Sequence, residues 1–434
     1  MNPLPLALAL LAAPPGARDT LRLPELQRAA LSQDPRARQL ALQREASELR
    51  LRNLAAERLP ALAGRAQATH QSEVASIPIA LPGGQTPPTP PKDQYEARVE
   101  VEQLLYDGGV LGRRRASERA QLGIDEARIA ADLYPLRDEV NETFFTAFLL
   151  QERVAEVSTL IGDLEARLAM IRSQLRNGAA LPGDTAVVRA EVLEAMENRN
   201  ELASGRRAAL ARLALLTGLD VSERDVLALP RLGDAVARAR AMADPAGGAP
   251  VPGARPEYAV FAARRERLAR DAEVIGARAR PQVGAFAQVA VGRPGFAQFE
   301  RDLHDYWLAG VRMRWAPFNW GTTGRERELL EVQRRIVDTE EAAFTARLRR
   351  QVQDQLAEMD RLETALDTDA RIIALREQVE RQARAQLDER AITASAYVDV
   401  RSKLEEARIA RQRHAVELAR ARARYLTTLG IELP

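Results

Sequence analysis

The sequence predicts a mainly α-helical protein with a small β part, written as two copies of one repeat. Three observations predict it. Apolar residues recur every three or four positions over stretches far longer than a globular helix, four short segments alternate apolar with polar residues, and the chain resembles itself at half its length.

The repeat comes first, because every element is placed by it. Asp34-Pro35 to Leu59-Pro60-Ala61-Leu62 resembles Arg255-Pro256 to Arg280-Pro281-Gln282-Val283, and both proline pairs differ by 221 (256 − 35 and 281 − 60). Leu105-Tyr106-Asp107-Gly108-Gly109 corresponds to Pro317-Phe318-Asn319-Trp320-Gly321, and Leu216-Thr217-Gly218 to Thr428-Leu429-Gly430, now at an offset of 212 (320 − 108 and 430 − 218). The lost positions fall between the strands of each half, where loops absorb length changes that packed elements do not. Each half reads as a helix, an alternating segment, a loop, a second alternating segment, a turn and two long helices. The predicted organisation is 21–242 for the first repeat, a Pro/Gly/Ala linker at 243–254, and 255–434 for the second.

Ahead of the repeats, Leu4 to Ala13 is apolar apart from Pro5 and is followed by Pro14-Pro15-Gly16-Ala17. No Lys or Arg precedes the run, so 1–20 reads either as a cleaved signal peptide or as a disordered N-terminus. No other stretch approaches the roughly 20 apolar residues of a membrane-spanning helix, and any crossing would have to be made by strands.

The four alternating segments fit that requirement. Tyr95, Ala97, Val99 and Val101 alternate with Glu96, Arg98, Glu100 and Glu102, giving one apolar and one charged face. Ala61 to His70 sets Leu62, Gly64, Ala66 and Ala68 against Arg65, Gln67 and Thr69. Val283, Ala285, Ala287, Val289 and Val291 make a third apolar row. Trp307, Ala309, Val311, Met313 and Trp315 make a fourth, with Arg312 and Arg314 opposite. Eight residues separate the two tryptophans, roughly 26 Å of strand, against the roughly 25 Å apolar band of an outer-membrane barrel with its aromatic girdles. A half-buried sheet in a soluble domain shares the alternation. Four strands do not close a barrel by themselves, so several chains would have to contribute. The joining segments Pro78 to Pro91 and Gly292 to Asp305 suit its outer face.

Between Val110 and Asn177 only Pro135 interrupts a helical pattern carrying Ile129, Leu133, Leu136, Val140, Ala147, Val154, Val157, Ile161, Leu164, Leu168, Ile171 and Leu175 at coiled-coil spacing. One continuous helix of that length would reach roughly 100 Å. Leu348, Val352, Leu356, Met359, Leu362, Leu366, Ile373 and Leu387 continue the theme in the second half. The helices turn back at Asn177 to Asp184 and at Asp388 to Ser395.

This order of elements, the duplication and the Leu105-Tyr106-Asp107-Gly108-Gly109 segment resemble the TolC-like outer membrane efflux proteins, from about Leu21 to Gly430. The resemblance implies a homotrimer in which each chain gives four strands to one twelve-stranded outer-membrane β-barrel, while long helical hairpins form an α-barrel across the periplasm. It implies partners: a periplasmic adaptor (membrane fusion protein), an inner-membrane pump or ABC exporter, and outer-membrane lipid. The function implied is a passive duct for efflux or type I secretion, gated at its periplasmic end. The family's tip pattern is matched by Asn177-Gly178 and Asp184, with Arg390 and Ile392 at the second tip. Asp399, in Tyr397-Val398-Asp399-Val400, looks like a gate carboxylate, and a further gate acid of some relatives falls at Ser402. Tyr95, Tyr106, Trp307, Trp315, Phe318 and Trp320 would be membrane-interface aromatics. Arg65, Glu96, Arg98, Glu100, Arg312 and Arg314 would line the barrel lumen.

Composition excludes other classes. The chain has 434 residues, 63 Lys+Arg against 61 Asp+Glu, 46% hydrophobic content and no cysteine, hence neither disulfide nor thiolate metal site. Basic and acidic residues interleave, as on solvated helix faces, whereas nucleic-acid binding gathers one sign on one face. Of the three histidines, His70, His304 and His414, none has a ligand-like neighbour at helical or strand spacing, so neither metal nor cofactor is expected. No phosphate loop, nucleophile elbow or triad appears, and the carboxylate pairs sit on helix faces, so no enzyme is expected. The rival class is a soluble periplasmic coiled-coil adaptor or scaffold, which accounts for the hairpins and leaves the strands idle.

Overall fold

The computed structural model describes residues 20–75, 89–177, 181–241, 254–295, 302–389 and 391–434. The N-terminal apolar run, Gly178, Arg390 and most of the Pro78–Pro91 segment lie outside the described residues.

In chain order the elements are β1 (Thr20–Leu21), α1 (Leu23–Gln33), a 3-10 turn (Pro35–Arg38), α2 (Gln39–Ala56), β2 (Ala61–His70), β3 (Asp93–Tyr106), α3 (Val110–Leu133), α4 (Leu136–Arg176), α5 (Pro182–Thr217), β4 (Val226–Leu227), α6 (Gly233–Ala241), α7 (Pro256–Arg278), β5 (Gln282–Arg293), β6 (His304–Arg314), α8 (Thr322–Asp388) and α9 (Ala394–Leu429). The bounds of α8 and α9 are those of α3–α4 and α5 displaced by 212 (322 − 110, 388 − 176, 394 − 182 and 429 − 217). That offset holds through the second hairpin end, so the counterpart of Asp399 is Val187 and that of Asp184 is Ala396.

Proline separates the two copies. Pro135 lacks the N–H that would continue the ladder, and α3 stops at Leu133 before α4 begins at Leu136. Position 347, its counterpart (135 + 212), is Arg347, and α8 runs unbroken for 67 residues. The returning helix of each hairpin, α5 and α9, ends on a left-handed glycine, Gly218 at φ 67° and Gly430 at φ 82°. At Gly430 the amides of Gly430 and Ile431 return to the carbonyls of Thr427 and Leu426 at 3.0 and 2.9 Å, closing the helix end. The Leu-Thr-Gly and Thr-Leu-Gly segments seen in the sequence are these stops.

The chain packs as two units, each drawing on both repeats. The first, 1–39, 129–258 and 342–434, is helical with the two-stranded parallel pair β1–β4. Its core gathers Leu23 and Leu26 of α1, Val140, Phe144 and Phe145 of α4, Leu210 and Leu213 of α5, and Tyr425 and Leu426 of α9. Phe144 and Phe145 meet edge to face with centroids 5.4 Å apart. A buried polar chain crosses this core: Gln27 Nε2 donates to Asn141 Oδ1 at 2.6 Å, and Asn141 Nδ2 donates to Thr427 Oγ1 at 3.1 Å. Tyr134 then donates to the Thr427 carbonyl at 2.7 Å, with the Arg255 guanidinium 4.2 Å from its ring centroid. Satisfying each of these buried groups fixes the register of α1, α4 and α9 against one another.

The second unit, 40–128 and 259–341, holds α2, most of α3 and α7, the start of α8, and a four-stranded antiparallel sheet of order β2-β3-β5-β6. Its helices are laced by ion pairs, among them Arg44–Glu126 at 2.7 Å, Arg50–Glu118 at 3.0 Å and Arg264–Glu340. The strands extend further than the alternation alone indicates. Gly292 belongs to β5 and Asp305 to β6, so the connection there is shorter than the expected Gly292–Asp305 loop.

Candidate functional site

The sheet's two faces follow from its register. Gly64 pairs with Val99, Ala97 with Val291, Val99 with Val289 and Val289 with Trp307, so the four apolar rows fall on one face. Arg65 pairs with Arg98, Glu100 with Gln288, Gly284 with Arg312 and Gln282 with Arg314, which collects the charged positions on the other. All six residues assigned to a lumen, Arg65, Glu96, Arg98, Glu100, Arg312 and Arg314, therefore share one face.

Exposure on the two central strands is the reverse of a soluble sheet. On β3 Tyr95, Ala97, Val99 and Val101 are open to the surroundings, Val99 at 52%, whereas Glu96 and Arg98 are half-buried and Glu100 is buried at 9%. On β5 Ala287, Val289 and Val291 are open, while Gln288 is half-buried and Ala290 and Gly292 are buried. Trp307 on β6 stands 76% exposed. On the polar face the side chains bind one another. Tyr306 donates to Glu96 at 3.2 Å, Arg98 lies 3.4 Å from the same carboxylate, and Arg312 reaches Glu102 at 3.4 Å with its guanidinium 4.7 Å from the Phe286 ring centroid.

The aromatics expected at interfaces occupy both strand and turn positions. Tyr95, Tyr106 and Trp307 lie within strands. Trp315 does not continue β6, which ends at Arg314; its indole N–H donates to the Ala279 carbonyl at 3.3 Å, turning it toward the residues that lead into β5. Phe318 and Trp320 stack edge to face at 4.9 Å in the turn before α8. Trp320 has φ 53°, unusual for a bulky residue, where the first repeat has Gly108 at 69°. In that first turn Asp107 accepts the amides of Gly109 and Leu111 at 2.8 and 2.6 Å, capping α3. Burial works against ionisation of Asp107, and these amide hydrogen bonds outweigh it, holding the carboxyl below its usual range.

At the hairpin ends Asn177 forms the C-cap of α4, and Ile392 is half-buried in the turn between α8 and α9. Asp399 is exposed on α9, and the Asp184 side chain lies outside the described residues. The structure adds two contacts that sequence spacing does not pair. Arg401 of α9 forms an ion pair with Asp163 of α4, joining the second hairpin to the first, and Tyr397 donates to Glu380 of α8 at 2.6 Å. The Asp163–Arg401 pair borders a groove of about 450 Å³ whose apolar wall includes Leu160, Leu164, Ala195, Val398 and Ile409. Nothing in the sequence marks the first pair, whose partners stand 238 positions apart.

Two histidines also gain carboxylate partners from the fold, His70 with Asp93 at 2.7 Å and His414 with Asp369 at 2.6 Å. Among the described residues no group of three or more His, Asp or Glu is arranged to hold a metal ion, and no helix is long and apolar enough to cross a membrane.

A four-stranded sheet with an open apolar face and long helical hairpins, both built in duplicate, make up the fold of the TolC-like outer membrane channels. CusC, described for its transmembrane channel formation, matches with a TM-score of 0.66 over 95% of this chain and 93% of its own, at 16% identity. The outer membrane protein VceC from Vibrio cholerae matches at 0.62 over 95% and 97% with 14% identity. The open state of the MtrE outer membrane channel of Neisseria gonorrhoeae matches at 0.62 over 95% and 89% with 16% identity. No family model matches the sequence, and no curated protein does. The likeness is one of fold, carried over nearly the whole length of both chains.

Proposed function

We propose that this chain is one subunit of a trimeric outer-membrane channel whose helices extend into the periplasm, serving as the passive duct of a tripartite efflux or type I secretion system. The observation that carries the reading is the inversion on the two central strands: apolar residues open, and Glu96, Arg98 and Glu100 at least half-buried. In water that arrangement exposes Leu62, Val99, Val289, Trp307 and Val311 at a cost of roughly 25 cal/mol per Å² of apolar surface. In hydrocarbon the same surface costs nothing, and the charged face lines a wet bore.

Closure between copies follows from the edges, and the family resemblance sets the number of copies at three. In one chain β2 and β6 each present an unpaired row of backbone groups, and lipid cannot satisfy them. Pairing β2 of one copy with β6 of the next closes twelve strands with no edge left. The helices flanking those edge strands carry exposed apolar residues, Leu42 and Leu49 on α2, and Leu329, Val332 and Ile336 on α8, which the same contacts would cover.

Gating belongs to the hairpin ends, where Asp163–Arg401 and Tyr397–Glu380 tie α4, α8 and α9 together. A periplasmic adaptor bearing on those ends would break the ties, and energy would come from an inner-membrane pump or ABC exporter. The chain itself carries out no reaction. Fractionation tests the reading. Recovery in the outer membrane, detergent-dependent trimers and stepwise conductance in planar bilayers are expected, whereas a soluble elongated dimer would make it a periplasmic scaffold.

A further inference from the structure

The helix-side end of the sheet, where α2 leads into β2, β3 into α3, α7 into β5 and β6 into α8, collects arginines of a particular kind. Further along α7, the arginines are paired: Arg264 with Glu340, Arg265 with Asp338 and Glu341, Arg267 with Asp271, and Arg270 with Glu266 and Glu273. At the sheet end the pattern changes. Arg58, Arg278, Arg280, Arg325 and Arg327 are all exposed, and none has a carboxylate within ion-pairing distance among the described residues. Arg58 and Arg280 meet around the turn at Gly108, and Arg325 stands at the turn before α8. Arg280 packs under Gly108 and donates to its carbonyl at 3.3 Å, Arg58 acts electrostatically on Asp107, and the Arg325 guanidinium lies 3.4 Å from where a Gly321 side chain would begin.

Beside these cations stand two strongly exposed aromatics, Phe318 at 69% and Trp320 at 80%, packed edge to face. Trp320 keeps that position in a left-handed backbone conformation where Gly108 stands in the other repeat. A bulky residue held in such a conformation marks a role outside the fold itself.

We propose that this collar is a binding site for anionic phospholipid headgroups of the leaflet nearer the helices, the arginines taking the phosphates and Phe318 and Trp320 seating at the glycerol level. The inference rests on the channel reading above, because only a sheet embedded in a bilayer brings headgroups to this height. Charge selects the occupant. Uncompensated guanidinium groups next to interfacial aromatics fit a surface that is anionic and amphiphilic, and guanidinium pairs with phosphate in bidentate fashion. A zwitterionic headgroup offers its phosphate together with a cation of its own and gains less.

The test uses the full chain reconstituted into mixed phosphatidylglycerol and phosphatidylcholine vesicles, with retained lipids counted by native mass spectrometry of the released trimer. Phosphatidylglycerol should be enriched over its share of the vesicle. The variant Arg58→Gln/Arg278→Gln/Arg325→Gln/Arg327→Gln should lose that enrichment, by roughly fivefold per arginine at low salt. Arg349→Gln/Arg350→Gln, which removes two exposed charges elsewhere on α8, should keep it. Equal retention of the two lipids by the wild type, or enrichment that survives the fourfold change, overturns the proposal. So does enrichment abolished by inorganic phosphate at equal ionic strength, which would make the occupant a free anion. A chain that does not enter the vesicles at all overturns the channel reading instead, which separates the two failures.

Discussion

Gly108 and Trp320 stand at equivalent points of the two repeats, and both hold a left-handed backbone, φ 69° and 53°. A side chain on Gly108 would begin 2.7 Å from Arg280 Cβ, whereas the Trp320 side chain projects into open space. Gly108→Ala should therefore destabilise the protein by about 1–3 kcal/mol, from backbone strain and the forced shift of Arg280. Trp320→Gly should relieve strain and stabilise the detergent-solubilised protein by about 1 kcal/mol. Thermal unfolding of both variants, followed by loss of helical signal, should move in opposite directions.

The proposed closure of the sheet between copies would place β2 of one chain beside β6 of the next. The sequence has no cysteine, so introduced thiols report without background. Ala66→Cys combined with Val311→Cys, both on the apolar face, should give covalent dimers and trimers with a short bifunctional thiol reagent in membranes. Each single variant should stay monomeric on denaturing gels, and so should the double variant if the sheet does not close between chains.

The Asp163–Arg401 pair is solvent-accessible, so its removal should cost at most about 1 kcal/mol of stability. Its effect on conduction should be larger. Asp163→Ala or Arg401→Ala is expected to raise closed-state conductance in planar bilayers several-fold. Asp399→Ala alone, at an exposed position, should change it less, and the reverse order would move the gate from Asp163–Arg401 to Asp399.

Asp138, in the first turn of α4, has one carboxylate oxygen buried without a hydrogen-bond partner. Burial raises its pKa above the ordinary value of 3.8, Glu142 adds to the rise, and Arg255 and Arg424 oppose it. The native state thus holds a proton that the unfolded state gives up. Stability is fully present below about pH 3.8 and falls as pH rises through the native pKa. Asp138→Asn should be more stable than wild type near neutrality by about 1 kcal/mol, with the advantage vanishing in acid. Urea midpoints across pH 4 to 8 read this directly.

Asn141 links Gln27 to Thr427 inside the core. Asn141→Ala strands both partners, and a loss of about 2–4 kcal/mol in urea unfolding is expected. Gln27→Leu/Asn141→Leu should recover part of it, since paired apolar replacements leave fewer orphaned groups.

The two-faced strands and the interrupted and uninterrupted helices were legible in the sequence because their signals are local. A period of two reports a sheet face directly, and Pro135 stops a helix wherever it sits. The second turn, Asp388 to Ser395, has neither glycine nor proline to mark it, and the structure, not the sequence, carried the offset of 212 through that hairpin. What escaped is long-range. Arg401 meets Asp163 across 238 positions and His414 meets Asp369 across 45, and nothing in a run of arginines and acids singles out which will pair. Trp315 was misplaced for the opposite reason. It keeps the period of β6 but lies beyond its last residue, where the hydrogen bond to Ala279 decides its orientation. The exposure that inverts the two central strands could not be read from alternation at all, since a soluble sheet and a bilayer wall share it.

The chain holds three tryptophans, and all three, Trp307, Trp315 and Trp320, stand on the sheet or at its helix-side end. The long hairpins are therefore dark when tryptophan is excited selectively. Emission from the unmodified protein reports one zone only, and a spectral shift on mixing with bilayers or partners would locate the event there without any label.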